Sequence, residues 1–333
     1  MRSIRIPEPD VLLRGVRLSA AVLLLWVVGG GLVSGTARAA PASKPSASES
    51  RFDADRAYGY LKAICRFGSR ASGSPGMTKQ QGLIVEHFNR LGAAVSFQSF
   101  DVRHPLAGTP VRMNNILVTW HPDSRERVLI VCHYDTRPFP DADRVNPRGP
   151  FIGANDGASG VAFLMELGNQ MKHIEPAVGV DFLFVDGEEF IFGDNGKYFL
   201  GSEHFATEYR DQPPRHRYTA GVVVDMIADR KLGIYREKSS MKLAPEVTNA
   251  IWKAAAEVGV KEFIDAEKHQ VNDDHLPLNN IARIPTCDII DFDYPHWHTT
   301  RDVPAQCSGE SLAKVGRVII RWLETFPRTG VPK

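Results

Sequence analysis

Hydrophobic and polar positions along the chain fall into two kinds of segment. Apolar residues spaced three and four apart predict amphipathic helices, alternating apolar and polar residues predict strands, and short continuous apolar runs predict buried strands. The helical pattern covers residues 55–67, 77–91, 160–171, 198–209, 244–258 and 312–326. The strand pattern covers residues 94–102, 115–120, 128–131, 180–185, 222–224 and 289–290. Because strands and helices alternate, we predict a single α/β domain with a mixed, mostly parallel central sheet and helices on both faces.

The N-terminal segment has a different pattern from the rest. Arg14 and Arg17 precede an apolar run at 18–33, and small residues follow it at 37–40. This order is typical of a secretory signal peptide with its cleavage site. The alternative is an uncleaved membrane anchor, although the run is glycine-rich and shorter than the roughly 20 residues that span a bilayer.

These patterns predict the organisation of the chain. We expect a signal peptide over residues 1–39, a disordered Pro/Ser/Ala linker over 40–52 and a catalytic domain over 53–333. The mature protein would then be exported to the periplasm or the extracellular space, without a stable membrane span. We expect it to be a monomer.

Composition narrows the possible partners. The 333 residues include 40 basic and 39 acidic side chains, a formal net charge of +1. This balance favours neither nucleic acid nor an anionic membrane as a partner. The cysteines are too few and too dispersed for a disulfide framework: Cys65, Cys132, Cys287 and Cys307. Cys132 and Cys287 lie in or beside strand-like runs, where we predict buried free thiols.

Two adjacent carboxylates, Glu188 and Glu189, follow the predicted strand at 180–185. Like charges at a strand end repel each other unless a cation or a proton separates them. A solvated acidic turn is the alternative, and it fits poorly with the flanking aromatic residues Phe182, Phe184, Phe190 and Phe192. The pair therefore indicates a metal ligand beside a group that transfers protons.

Two further segments carry candidate ligands. His133 follows the predicted strand at 128–131, and it could bind a metal while Asp135 fixes its tautomer. The alternative is a structural His–Asp pair. Asp156 precedes the helix at 160–171, where helix capping would be enough to explain an aspartate. The small residues around Asp156 instead favour close backbone approach, as at a metal site.

The remaining candidates lie later in the chain. Asp225 follows the strand run at 222–224, and Asp273 lies in an Asp-rich loop. These two carboxylates could share a proton. His298 would be a nitrogen ligand, and its neighbour Trp297 an apolar wall. Carboxylates and an imidazole gathered at strand ends suit a zinc ion that keeps one position open for substrate.

Other motifs carry less weight. Asp141 and Asp143, with Asn146, could indicate calcium, but we interpret this segment as a solvated loop. The sequence contains no phosphate-binding glycine loop and no Gly-x-Ser-x-Gly motif. Nucleotide hydrolysis and α/β-hydrolase chemistry are therefore excluded.

From about residue 53 onward, the chain resembles the zinc exopeptidase superfamily that contains co-catalytic aminopeptidases. Within it, the chain looks most like the animal-type glutaminyl-peptide cyclotransferases. The segments that carry the resemblance are His133-Tyr134-Asp135, the Asp156 segment, Asp186-Gly187-Glu188-Glu189, Leu200-Gly201-Ser202, Asp225-Met226-Ile227, Asp273-Asp274-His275-Leu276-Pro277 and Trp297-His298-Thr299.

The resemblance implies a fold, a reaction and roles for residues. The fold would be zinc exopeptidase-like, and the reaction would convert N-terminal glutamine of peptides or proteins to pyroglutamate with release of ammonia. One zinc ion would be held by Asp156, Glu189 and His298. The other roles would be Glu188 as general acid and base, Asp225 and Asp273 as a hydrogen-bonded acidic pair, and Trp297 in the substrate pocket.

The chain departs from the family at three places. Val161 replaces the cysteine that would pair with Cys132, the loop after Glu189 lacks a tryptophan, and Asp288 replaces a histidine. Two alternatives stay open. A two-zinc aminopeptidase would hold a second metal with His133 and Asp225, bridged by Asp156. A non-catalytic binding module would be expected to have lost metal ligands, and none is missing.

Overall fold

The computed structural model describes residues 52–327. The strands are β1 (Ala94–Arg103), β2 (Pro110–Trp120), β3 (Glu126–His133), β4 (Gly179–Val185), β5 (Glu189–Phe192), β6 (Asn195–Tyr198), β7 (Arg217–Asp225), β8 (Ile234–Glu237), β9 (Phe263–Lys268) and β10 (Thr286–Ile290). The helices are α1 (Ala54–Cys65), α2 (Pro75–Arg90), α3 (Ala158–Gln170), α4 (Leu200–Asp211), α5 (Lys238–Leu243), α6 (Pro245–Glu257), α7 (His275–Asn280) and α8 (Gly309–Thr325).

Six strands form the central sheet in the order β1-β2-β4-β3-β7-β10. The four strands β4, β3, β7 and β10 run parallel to one another, whereas β2 pairs antiparallel with both β4 and the edge strand β1. Parallel strands need crossover connections, which the intervening helices supply. The predicted mixed, mostly parallel α/β sheet is confirmed.

Helices cover both faces of the sheet. Along β3, Val128 and Ile130 face a large core shared with α1, α2, α3, α6 and α8. Leu129 and Val131 face the opposite core, which α4 and α7 complete. Side chains on both faces of β3 are buried, which is why its sequence is a continuous apolar run rather than an alternating one.

The sequence pattern located the main elements and missed the small ones. Two two-stranded sheets, β5–β6 and β8–β9, and the short helices α5 and α7 were not predicted. Their residues are too few to show a period. The helix predicted from residue 198 begins later because Tyr198 belongs to β6 and Phe199 adopts a left-handed backbone conformation, φ 60°.

The predicted signal peptide and nearly all of the predicted linker lie outside the described residues. Phe52, at the end of that linker, is buried and stacks on Phe163 at 5.5 Å. Within residues 52–327, every helix is too short or too polar to cross a membrane. All four cysteines are buried free thiols, as predicted for Cys132 and Cys287.

Candidate metal centre and active site

The carboxyl ends of β3, β4, β7 and β10 meet at one edge of the sheet because these strands are parallel. His133 ends β3, Asp225 ends β7 and the Glu188–Glu189 pair follows β4. Candidate residues from distant parts of the sequence are therefore brought to one place, as open α/β sheets do with ligand sites.

Asp156, Glu189 and His298 converge at this edge. Nε2 of His298 lies 2.8 Å from Oε1 of Glu189 and 3.5 Å from Oδ2 of Asp156. One ligand atom from each residue lies within 4.8 Å of the others, and all three side chains are buried. Two carboxylates and one imidazole are a donor set that zinc accepts while keeping a position open.

The surroundings of the Asp156 carboxylate favour a cation between Asp156 and Glu189. Its Oδ2 is buried and has no hydrogen-bond partner among the described residues. Burial raises the pKa of Asp156 well above its usual value, and the nearby charge of Glu189 adds to the effect. A cation between the two carboxylates would remove this repulsion and supply the missing partner.

Asp156 does not cap the helix that follows it. The residue before α3 is Gly157, at φ 91°, and no side chain caps the helix there. A Cβ atom at Gly157 would lie 2.7 Å from the carbonyl oxygen of Asp135. Only glycine fits this turn, which brings the Asp156 loop against the end of β3.

Asp302 fixes the backbone beneath Asp156. Its two carboxylate oxygens accept hydrogen bonds from the backbone amides of Asn155 and Asp156, at 2.9 and 3.1 Å. The hydroxyl of Tyr294 donates a third bond to Asp302 at 2.7 Å. Because Asp302 lies in the loop that carries His298, this contact ties together the backbones that present Asp156 and His298.

Asp135 and Arg137 hold the glutamate pair. The two oxygens of Asp135 accept from the backbone amides of Glu188 and Glu189, each at 3.1 Å. Arg137 donates to Glu189 from its backbone amide at 2.9 Å and from Nη1 at 3.0 Å. Although burial alone would raise it, the pKa of Glu189 is lowered to about 2 by His298 and Arg137.

Asp141 lies behind His298. Its Oδ1 is 3.3 Å from Nδ1 of His298, and its carboxylate also accepts from Nε of Arg137 at 2.9 Å. Nearby, the Ala142 backbone amide donates to the His298 carbonyl at 3.1 Å. A carboxylate on the far nitrogen fixes the ring and its tautomer when the near nitrogen binds a metal.

A second group of potential ligands adjoins the first. Nε2 of His133 lies 3.2 Å from Oδ1 of Asp225 and 3.4 Å from Oδ1 of Asp156. These three residues form another set with metal-binding geometry. Nδ1 of His133 lies 3.7 Å from Asp135, beyond hydrogen-bond distance, because both oxygens of Asp135 are directed at the glutamate backbone amides.

Glu188 lies beside both groups, with its side chain 12% exposed and 4.0 Å from Nδ1 of His133. Burial raises its pKa well above the usual value, and the charge of Glu189 adds to this effect. A buried carboxyl group whose pKa is raised in this way suits general acid–base catalysis. Glu188 does not belong to the first set, although it forms a further potential set with His133 and Glu189.

Asp225 and Asp273 are close enough to interact electrostatically. Burial raises the pKa of Asp273 to about 6, and the charge of Asp225 contributes to the shift. One oxygen of Asp273 accepts from the Asp274 backbone amide, and the other has no partner among residues 52–327.

A cavity of about 370 Å³ opens onto these residues. Trp297 forms one wall, 40% exposed, and stacks on His298 with ring centroids 3.7 Å apart. The other lining residues are Asp156, Glu188, Glu189, Tyr198, Phe199, Asp225, Met226, Gln270, Val271, Asn272, Asp273, Ile290, Phe292 and His298. Eight of the fifteen lining residues are polar or charged and seven are apolar or aromatic, a combination that can fix the orientation of a small ligand.

Backbone strain is concentrated at this cavity. Five non-glycine residues in the described chain have positive φ, and three of them line the cavity: Phe199, Met226 and His298. Such conformations persist where surrounding structure enforces them, and they cluster at functional sites. The strain identifies the same site without reference to metal ligands.

Three residues of this site were missed from the sequence: Arg137, Asp141 and Asp302. Asp141 was interpreted as part of a solvated loop, and its side chain is indeed 44% exposed, yet it orients His298. Asp302 follows His298 by only four positions, but nothing local indicates its contact with Asp156. The one available signal was the charge pair Arg137–Asp141, spaced four residues apart.

Comparison with known proteins identifies the family to which this chain belongs. The sequence profile of peptidase family M28 matches residues 115–323, more than half of the chain. The chain belongs to this family. Membership implies that the metal is zinc, and the expected zinc exopeptidase-like fold is confirmed.

Proteins similar to this chain include named glutaminyl cyclases and a leucine aminopeptidase precursor. Bovine glutaminyl-peptide cyclotransferase is 26% identical over 296 residues, covering 75% of this chain and 76% of that protein. The glutaminyl cyclase of Fimbriiglobus ruber is 40% identical, with TM-score 0.79, over 82% of this chain and 95% of that one. A leucine aminopeptidase precursor from Bacteroides thetaiotaomicron is 31% identical, with TM-score 0.77, over 83% of this chain and 98% of that one.

Proposed function

We propose that this protein is a glutaminyl-peptide cyclotransferase, which converts N-terminal glutamine of peptides or proteins to pyroglutamate and releases ammonia. The observation that carries the proposal is the convergence of Asp156, Glu189 and His298 beside Glu188, in a cavity that Trp297 and Phe292 also line. The similarity to named glutaminyl cyclases over most of the chain supports the choice of reaction.

Asp156, Glu189 and His298 would hold one zinc ion. When bound, zinc would supply Lewis acidity toward the side-chain carbonyl of the glutamine. The chain holds these residues firmly: Asp302 fixes the backbone of Asp156, and Asp141 lies against the ring of His298. Such supporting contacts tune metal affinity as well as geometry.

Glu188 would move the proton. The α-amino nitrogen of the substrate attacks its own side-chain carbonyl carbon, and Glu188 takes a proton from that nitrogen. The bond between the carbonyl carbon and the amide nitrogen then breaks. Glu188 delivers the proton to the departing nitrogen, which leaves as ammonia, so that no water is consumed.

The walls of the cavity would orient the substrate. Trp297 and Phe292 pack against each other with ring centroids 5.5 Å apart and would bury the methylene groups of the glutamine side chain. Holding amine and amide in contact supplies a large part of the acceleration of an intramolecular reaction. Asp225 and Asp273, on the wall near Glu188, would accept hydrogen bonds from the α-amine and orient it.

The proposal is tested by incubating the purified protein with a peptide that begins with glutamine. We expect a mass loss of one ammonia, and no change when the same peptide carries an acetylated α-amine. Unchanged mass for the free peptide would contradict the proposal.

A second candidate function is favoured by one observation. His133, Asp156 and Asp225 form another set with metal-binding geometry, as a two-zinc aminopeptidase requires. That enzyme would release free glutamine from the same test peptide, and metal analysis would find two zinc ions per chain. We expect one zinc ion and no free amino acid.

Export is part of the proposal. The basic, apolar and small-residue order of the N-terminal segment supports a cleaved signal and a periplasmic or extracellular enzyme. We expect the mature enzyme to begin near residue 40 and to act as a monomer. N-terminal sequencing of protein recovered from the periplasm or medium would test the cleavage.

A further inference from the structure

A cluster of buried polar side chains lies behind the cavity wall. It comprises Asp273, His275, Asp288 and Glu237, and each of them is between 0 and 3% exposed. Asp273 alone also lines the cavity. Asp288 belongs to β10, where Cys287 and Ile289 face the large core and Asp288 points to the opposite side.

The carboxyl group of Asp288 lacks ordinary partners. Neither of its oxygens has a hydrogen-bond partner among the described residues. The nearest cationic candidate is Nδ1 of His275, 3.6 Å from Oδ2, which is too far for a hydrogen bond. An ionised carboxylate left unpaired in the interior is strongly destabilising, so this group is expected to be neutral.

A neutral carboxyl group has one hydroxyl donor and needs an acceptor. Asp273 offers one, because one of its oxygens accepts from the Asp274 amide and the other is also unpartnered within residues 52–327. Potential ligand atoms of Asp273, His275 and Asp288 all lie within 4.8 Å of one another. A single hydrogen bond between the two carboxyl groups would satisfy both.

We propose that Asp288 is a protonated positioning residue, whose hydroxyl donates to Asp273 and fixes that carboxylate on the cavity wall. The resemblance to animal-type cyclotransferases implied that Asp225 is the partner of Asp273. In this chain Oδ1 of Asp225 also lies 3.2 Å from Nε2 of His133.

The electrostatic surroundings agree with this geometry. Burial raises the pKa of Asp288 well above its usual value, and the neighbouring charges of Asp273 and Glu237 raise it further. A hydrogen bond with Asp273 acts in the same direction. A neutral Asp288 also avoids placing two like charges in contact.

The backbone of Asp288 is fixed from behind. Its amide donates to Oγ of Ser240 at 3.0 Å, and that hydroxyl donates to Oε2 of Glu237 at 2.9 Å. Glu237 in turn caps α5 through the amides of Ser239 and Ser240. Asp288 is therefore a rigid support, and Asp273 takes its position from it.

The role of Asp273 in the reaction rests on the proposed function. The test therefore combines kinetic measurements with one measurement that does not depend on that function. Asp288→Asn places an amide donor where the hydroxyl was, and we expect kcat for the glutamine peptide within about threefold of wild type. Asp288→Ala removes the donor, and we expect kcat to fall about tenfold to hundredfold with a smaller change in KM. Cys287→Ala, on the opposite face of β10, is the control for disturbance of the strand.

The measurement that does not depend on the proposed function is infrared difference spectroscopy. We expect the spectrum of wild type minus Asp288→Asn to contain the band of a protonated carboxyl group. Absence of that band, or equal loss of kcat in the Asn and Ala variants with unchanged thermal stability, would overturn the proposal. So would loss of a bound metal ion from Asp288→Asn, since a cation would then join the carboxylates. If wild type fails to cyclise glutamine, the proposed function fails while the infrared result still decides the state of Asp288.

Discussion

The two ends of the parallel sheet both bury charged residues, and they treat them in opposite ways. At the amino end, Arg127 and Asp181 form a bidentate pair, Nε to Oδ2 and Nη2 to Oδ1, both at 2.7 Å. Their side chains are each 1% exposed. Tyr218 donates its hydroxyl to Asp181 at 2.6 Å, and Arg127 also donates to backbone carbonyls nearby.

At the carboxyl end, buried polar atoms lack partners. Oδ2 of Asp156, Nδ1 of His133 and Oδ2 of Asp273 are among those without a hydrogen bond within the described part of the chain. Unsatisfied buried groups are costly, so they persist where something else completes them. The Arg127–Asp181 pair is thus complete within the protein, whereas the site at the carboxyl end is completed by a metal, a substrate or a proton.

The largest effect that the comparison predicts is on catalysis at the carboxyl end. Glu188→Gln keeps the shape of the side chain but cannot transfer a proton, so we expect kcat to fall about 10²- to 10⁴-fold. Zinc should remain bound, because Glu188 is outside the set formed by Asp156, Glu189 and His298. Steady-state kinetics and metal analysis of the same preparation measure both properties.

Glu86→Gln is the matched control for Glu188→Gln. Glu86 lies on α2, exposed, in a surface pair with Arg90. This change should leave turnover and metal content intact. Near-normal activity of the Glu188 variant would show that another group moves the proton, and loss of zinc would show that Glu188 is a ligand.

The second prediction concerns the amino end. Arg127→Met leaves Asp181 as an unpaired buried charge, so we expect the free energy of unfolding to fall by about 3–5 kcal/mol. Metal affinity and turnover of the folded protein should be unchanged, because the pair lies at the opposite end of the strands. Urea denaturation and a competition assay with a zinc chelator measure the two quantities.

The double variant Arg127→Met/Asp181→Leu sharpens this prediction. Removing both charges leaves no unpaired group, so it should be more stable than Arg127→Met alone. A double variant that is less stable, or an Arg127 variant with weakened zinc binding, would mean that the two ends are not independent.

Local sequence patterns were enough to predict the buried central strands and the charged residues at their ends. The apolar run at 128–131 identified β3 because a central parallel strand is buried on both faces. Glu188 and Glu189 were recognisable because adjacent carboxylates at a strand end need a local explanation. The strand-end positions also predicted that distant residues would meet at one edge of the sheet, which the parallel arrangement of β3, β4, β7 and β10 confirms.

The supporting contacts could not be predicted, because they depend on distant partners. Asp302 and the Asp156 amide are separated by 146 positions, and Arg137 and the Glu189 carboxylate by 52. No local pattern relates such pairs. Asp288 was noticeable only as a departure from the resembling family, and its lack of a hydrogen-bond partner required coordinates.

The smallest effect that we predict concerns Asp141, which acts on the metal site through His298. Asp141→Ala leaves the ring without its carboxylate neighbour, 3.3 Å away, so we expect zinc affinity to fall about 10- to 100-fold. At saturating zinc, turnover should return towards wild type, which separates positioning of the ligand from catalysis. Asp101→Ala is the matched control, since Asp101 forms an exposed pair with Arg112 on the β1–β2 edge. Unchanged zinc affinity in Asp141→Ala would mean that packing of Trp297 alone fixes His298, and that the carboxyl end is less dependent on its supporting carboxylates than the comparison with the amino end implies.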